Sequence, residues 1–95
     1  MRAIHQFLPN LDYGDAISVF ALELREIVRS HGCRSRVYVR YFDPGLRAEC
    51  ACYRRYDAEG SPDDLILYHY SVGSEVTKYF AALPNRKAII YHNIT

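Results

Sequence analysis

Residues 64–74, DLILYHYSVGS, place a compact apolar run directly before a histidine, two tyrosines and a loop of small residues. A similar run at 87–91, KAIIY, is followed by His92. Short apolar runs of this kind are typical of strands buried on both faces of a parallel sheet. Between the two runs, four apolar residues have helical spacing: Val76, Tyr79, Phe80 and Leu83. The segment therefore predicts a strand, a helix over 74–83 ended by Pro84, and a second parallel strand.

A second strand-helix-strand unit is predicted nearer the N-terminus. AIHQFL at 3–8 predicts a strand closed by Pro9 and Asn10, and residues 36–41 predict a strand near a sheet edge. Between them, residues 15–31 predict an amphipathic helix that Gly32 would cap. Its predicted apolar face contains Ile17, Phe20, Ala21, Leu24, Ile27, Val28 and His31. The face opposite contains Ser18, Arg25, Glu26, Arg29 and Ser30.

The order of these elements predicts an α/β fold with a Rossmann-like, doubly wound, mainly parallel sheet of four strands. Residues 43–63 are the least regular part, and we expect a short strand or a helical turn around 49–56. The 95 residues are long enough for one small domain, 1–95, with a modest core.

Composition narrows the function classes. The net charge of +1 comes from 12 basic and 11 acidic residues mixed along the chain, so we expect neither a nucleic-acid stripe nor a basic membrane patch. Cys33, Cys50 and Cys52 are odd in number and lack the spacing of a redox or zinc pair, which favours reduced thiols. With no signal peptide and no apolar run that would span a membrane, we expect a soluble cytoplasmic protein.

Three histidines are predicted to lie where parallel strands end. His5 lies in the first strand, and His69 and His92 each follow a tyrosine at the end of an apolar run. Ligands of open α/β sheets bind outside the carboxyl ends of the strands, so these imidazoles would hold a polar ligand there. A structural role for each histidine is the alternative. A metal held by histidines alone is disfavoured, because parallel strand ends lie too far apart to close a tetrahedron.

The loops at this edge supply further candidates. Ser71, Gly73 and Ser74 lead into the helix over 74–83, whose first amides would accept a ligand oxygen. The alternative is that Ser74 is only an N-cap and Gly73 only relieves a turn. In the first loop, the carboxylates of Asp12 and Asp15 suit the hydroxyls of a sugar or polyol, and helix capping is the alternative for Asp15.

That first loop also excludes some classes of site. It contains a single glycine, so it is not a GxGxxG dinucleotide motif, and Walker-type spacing is absent. Asp12 and Asp15 would repel a pyrophosphate at the start of the helix. No Ser-His-Asp or Cys-His nucleophile arrangement is evident in the chain.

The segments IHQFLPNLDYGDAIS, DLILYHYSVGS and RKAIIYHNIT resemble the start of a bacterial family 4 glycosyltransferase of the GT-B class. They cover about a third of the chain, in the family's order. The resemblance implies a two-domain enzyme that moves a sugar from a nucleotide sugar to a glycan or other hydroxyl acceptor. The transfer would retain the anomeric configuration and need neither a metal nor another cofactor.

The resemblance also implies roles for individual residues. Gly14 would lie by the phosphate or sugar of the donor, and His92 by the transferred sugar as the catalytic residue. The segment from His69 to Ser74, and Asn93 beside His92, would line the cleft that binds donor and acceptor.

The family's C-terminal domain, with its pair of glutamates separated by seven residues, is not matched here. We therefore expect an incomplete N-terminal domain, 1–95, on the acceptor side of the cleft, that is inactive by itself. The alternative is a Rossmann-like module without catalysis that binds a carbohydrate, an anion or a partner subunit.

Overall fold

The computed structural model describes residues 2–70 and 73–92, which form a five-stranded, all-parallel sheet with helices on both faces. The strands are β1 (Ile4–Leu11), β2 (Val37–Phe42), β3 (Ala51–Cys52), β4 (Leu65–Tyr70) and β5 (Arg86–Tyr91). The α-helices are α1 (Ala16–Ser30), α2 (Tyr56–Glu59) and α3 (Glu75–Ala82), and 3-10 helices span Pro44–Glu49 and Tyr53–Arg55. The predicted Rossmann-like α/β class is confirmed, with β3 as a fifth strand inside the region expected to be irregular.

The order of strands across the sheet is β3-β2-β1-β4-β5. The chain therefore builds outward from β1 through β2 to β3, and then crosses back to place β4 on the other side of β1. The point between β1 and β4 is a topological switch, because α1 and α3 pack on opposite faces of the sheet, and ligands of open α/β sheets bind at such a point. This geometry directs attention to the carboxyl ends of β1, β4 and β5.

Strand β1 is longer than the sequence predicted, because it continues through Pro9 to Leu11. Along β1 the amides of Ile4 and Gln6 donate toward the β2 side, and by alternation the nitrogen of Pro9 faces the β4 side. Pairing with β4 ends at Phe7, whereas pairing with β2 continues through Asn10 and Leu11, so the missing N–H of Pro9 lies on the side of β1 where pairing has already ended. The expectation that Pro9 closes the strand was wrong for this reason.

Two hydrophobic layers enclose the sheet. On one face Phe7 lies at the centre of a cluster with side chains from α3 and the segment around α2. The members of that cluster are Phe7, Tyr38, Ala51, Tyr53, Tyr56, Ile66, Tyr68, Val76 and Phe80. The other face packs against α1 and the first 3-10 helix through Leu8, Leu11, Ala21, Val37, Val39 and Leu46.

The face of α1 that packs on the sheet differs from the predicted one. Arg25, expected to lie on the exposed side, is buried and donates from Nη1 to the Glu49 carbonyl at 2.9 Å and from Nη2 to Glu49 Oε1 at 2.8 Å. Phe20 and Ile27, expected in the core, are 42% and 56% exposed. Small residues let α1 approach the sheet, and the paired guanidinium is satisfied where an apolar side chain was expected.

Strand β5 was expected to be buried on both faces, and this was wrong. Ile89 and Tyr91 are 64% and 69% exposed. The reason is position, because β5 is the last strand of the described sheet and α3 packs mainly over β1 and β4. The apolar composition that predicted a central strand instead leaves an apolar surface at this side of the sheet.

Candidate functional site

His69 and His92 meet at the carboxyl ends of β4 and β5. These strands are parallel neighbours, with Tyr70 in register with Tyr91, and the His92 amide donates to the Tyr70 carbonyl at 2.9 Å. The imidazoles stack with centroids 5.1 Å apart, and His69 Nδ1 lies 2.9 Å from His92 Nε2. The prediction that the two histidines share one edge of the sheet is confirmed, and they form a hydrogen-bonded pair.

The buried end of this pair is held by Gln6 on the neighbouring strand β1. Its Oε1 lies 2.5 Å from His69 Nε2, and its Nε2 donates to the Ala21 carbonyl of α1 at 2.9 Å. Gln6 was absent from the predicted site. A signal for it was present, since an amide inside the apolar segment AIHQFL must find buried hydrogen-bond partners. The sequence alone did not show which residues those partners would be.

Phe20 covers the histidine pair from α1. Its ring packs edge-on against both imidazoles, with centroids 5.6 Å from His69 and 5.8 Å from His92. His69 is 1% exposed, whereas His92 is only half-buried. Burial, and secondarily the neighbouring His92, lower the pKa of His69 to about 4. His69 is therefore a neutral imidazole at physiological pH, and His92 is the member of the pair that faces outward.

The first loop holds Gly14 and Asp15 at the end of β1, where α1 begins. Asp15 caps α1, and its Oδ2 accepts from the Ser18 amide at 2.9 Å and from Ser18 Oγ at 2.8 Å. Ser18 Oγ also accepts from the Asp12 amide at 2.9 Å. The structure thus shows the capping alternative for Asp15, with one carboxylate oxygen already committed to the helix.

Gly14 occupies the left-handed region, with φ of 72°, and a Cβ built on it would meet nothing within 4 Å. Backbone conformation, not space, therefore requires glycine. We expect Gly14→Ala to lower the free energy of unfolding by about 1 kcal/mol, and Gly14→Asn to lower it less, because asparagine tolerates this region. Urea unfolding of the two variants beside the native chain measures both effects. Equal stability of all three would contradict this account.

Ser74 is the N-cap of α3 in a reciprocal capping box. Its Oγ accepts from the Val76 amide at 3.1 Å, while Thr77 Oγ1 accepts from the Ser74 amide at 3.0 Å and lies 2.7 Å from Tyr68 Oη. The capping alternative therefore describes Ser74, whose hydroxyl is committed to the helix. Gly73 is exposed, and a Cβ there would lie 3.9 Å from Tyr70 Oη, an ordinary contact. Ser71 and Asn93 lie outside the described residues.

His5 does not join the other two histidines. It is the second residue of β1, at the amino end of the sheet, where its Nδ1 accepts from the Arg36 amide at 3.1 Å. Its Nε2 lies 3.5 Å from Asp64 Oδ2. Burial, opposed by Asp64, lowers the pKa of His5. The expectation of three histidines converging at one edge was wrong, because β1 runs on to Leu11 and leaves His5 at its start.

The described residues show neither a metal site nor a membrane-spanning helix. Across 2–70 and 73–92, no three His, Cys, Asp or Glu side chains come together in a way that would hold a metal ion. None of the helices formed by these residues is both long enough and apolar enough to cross a membrane. The three cysteines are free thiols, and burial raises the pKa of Cys50, which makes it a poor nucleophile.

Fold and site together define a class of protein. It is a small parallel α/β protein of Rossmann-like type, with a buried amide and two histidines in series at the carboxyl edge of its sheet. Comparison with protein-family models, with curated proteins and with solved structures found no match to this chain.

Proposed function

We propose that this chain is the acceptor-side portion of a retaining glycosyltransferase, which moves a sugar from a nucleotide sugar to a hydroxyl acceptor. The observation that carries the proposal is the His69–His92 pair, because it holds a half-buried imidazole at the edge where ligands of such sheets bind. The resemblance of the surrounding segments to family 4 glycosyltransferases supports the same hypothesis of sugar transfer. A second domain would supply the site for the nucleotide.

In this proposal His92 is the residue that touches the sugar. Its ring is held by the contact with His69 and by the edge of Phe20, so little rotamer freedom remains to be lost on binding. An imidazole in this position hydrogen-bonds a sugar hydroxyl and keeps the anomeric carbon in reacting geometry. Gly14, at the end of the adjacent β1, leaves the backbone open for a close approach of the donor.

The test is a titration of the ¹⁵N-labelled chain with a panel of nucleotide sugars and free sugars, followed by NMR of the histidine rings. We expect the rings of His92 and His69 to shift with a dissociation constant of about 1 mM, since one domain supplies only part of the cleft. His92→Gln should abolish the response. His31→Gln is the matched control, because His31 is exposed and lies at the C-terminal end of α1, away from the pair. Unchanged His92 and His69 signals across the panel would overturn the proposal.

A docking module without catalysis is the second candidate. The observation that favours it is the pair of exposed apolar side chains, Ile89 and Tyr91, on β5, the last strand of the described sheet. Exposed apolar surface at the last strand of a sheet is typical of an interface. Two results together would favour this candidate over the transferase. The chain would sediment as an oligomer, and the NMR signals of its histidine rings would not shift with any sugar in the panel.

A further inference from the structure

We infer that the buried amide of Gln6 sets, through His69, the hydrogen-bonding polarity of His92. The neutral His92 ring then donates inward from Nε2 and presents an unprotonated Nδ1 as a hydrogen-bond acceptor at the carboxyl edge of the sheet. Gln6 and His69 act as positioning residues for His92. We call this series of hydrogen bonds from Gln6 through His69 to His92 the relay. The relay is inferred from geometry, whereas the use of Nδ1 to hold a sugar hydroxyl rests on the proposed function.

The direction of these hydrogen bonds is fixed by a group that can only accept. The Ala21 carbonyl is a backbone acceptor, so the side of the Gln6 amide that faces it at 2.9 Å must be the NH₂ group. The opposite orientation would place two oxygens against each other. Gln6 therefore presents Oε1 to His69, and since that oxygen accepts only, His69 Nε2 must carry the proton of the 2.5 Å contact.

The same reasoning passes through both rings. A neutral imidazole carries one proton, so His69 with a protonated Nε2 offers a lone pair at Nδ1. His92 Nε2, 2.9 Å away, must then donate, and a neutral His92 is left with its own lone pair at Nδ1. Among the described residues, no side chain forms a hydrogen bond with His92 Nδ1 or an ion pair with either ring.

The reverse polarity requires a cationic His69, and its surroundings oppose a charge. His69 is 1% exposed and faces an amide from β1, a phenyl ring from α1 and another imidazole, with no carboxylate among these neighbours. Burial and His92 both lower its pKa, in agreement with this environment. A carboxylate in place of Gln6 would stabilise the cation, so the choice of an amide keeps His69 neutral.

An unprotonated Nδ1 favours one class of ligand. It accepts from a hydroxyl or an N–H group, and it offers no donor to a phosphate or carboxylate. In the neutral His92 ring this outer nitrogen therefore fits a polyhydroxylated ligand better than an anion. This deepens the proposed function by assigning His92 to a hydroxyl of the sugar and leaving the diphosphate to other groups.

The test is histidine-selective ¹⁵N NMR of the native chain above neutral pH. We expect a scalar coupling across the hydrogen bond between His92 Nε2 and His69 Nδ1, with the proton attached to His92 Nε2. A proton attached to His69 Nδ1 would overturn the inference. Gln6→Glu is the informative variant, because its carboxylate should raise the pKa of His69 so that the pair takes up one proton from water. The shared proton then lies on His69 Nδ1, and the added proton lies on His92 Nδ1, which keeps the His92 ring neutral. If that variant does not fold, the native measurement still decides the polarity.

The ligand arm uses methyl glycosides and inorganic phosphate as separate probes. We expect glycosides, and not phosphate, to shift the His92 Nδ1 resonance. The predicted polarity together with no response to any sugar would uphold the relay and overturn the proposed function. A larger response to phosphate than to glycosides would overturn the assignment of Nδ1 to a hydroxyl.

Discussion

Replacing Phe7 by alanine is expected to lower the free energy of unfolding by about 3 to 5 kcal/mol. Phe7 is fully buried in the central strand, and its ring packs against Tyr38 at 5.2 Å, Tyr56 at 5.4 Å and Phe80 at 5.7 Å between centroids. Those neighbours come from β2, α2 and α3, so the substitution removes the contact on which one whole layer converges. A chain of this length has a free energy of unfolding of about 5 to 14 kcal/mol. If the native value lies near the lower end of that range, the loss would leave the variant unfolded at 37 °C.

Urea unfolding, with circular dichroism as the signal, measures this loss. Ile89→Ala is the matched control, because it also removes an apolar side chain from a strand of the sheet, but from a residue that is 64% exposed. We expect that control to stay within about 0.5 kcal/mol of the native chain. Comparable losses in the two variants would show that the layer built on Phe7 is not the main core.

Acidification is expected to destabilise the chain through His69. Its pKa is 6.5 in the unfolded chain and about 4 when folded, so the unfolded state binds the proton more readily. The stability is therefore fully present above about pH 6.5 and is lost as the pH falls toward 4. The difference in pKa corresponds to a loss of about 3 kcal/mol between about pH 7 and pH 4.

His69→Gln isolates this contribution, because glutamine does not titrate in this range. The native chain should lose about 3 kcal/mol more than the variant between the same two pH values, measured by urea unfolding. The comparison is needed because the lowered pKa values of His5 and Glu59 also reduce stability as the pH falls. His31→Gln, which removes an exposed histidine outside the His69–His92 pair, is the matched control. Parallel profiles for the native chain and His69→Gln would contradict a neutral, buried His69.

The sequence by itself determined the fold class and the edge at which His69 and His92 meet. Apolar runs such as DLILY and KAIIY report strands, and helical spacing reports α1 and α3, because both patterns arise from local backbone geometry. Once two parallel strands are neighbours, residues that follow them must lie at the same edge. The caps at Asp15 and Ser74 were foreseen as alternatives for the same local reason.

Tertiary structure alone decided which of these residues act together. Periodicity does not tell which neighbours cover a strand or a helix face, so it misjudged the exposure of Ile89 on β5 and of Phe20 on α1. The sequence prediction also placed His5 with the other histidines, because it ended β1 at Pro9 instead of at Leu11. The contact between Gln6 and His69 joins residues 63 positions apart, and only the packing of β1 beside β4 under α1 creates it. The buried amide of Gln6 meets His69 only in the folded chain, and that contact sets which nitrogen of His92 donates and which accepts.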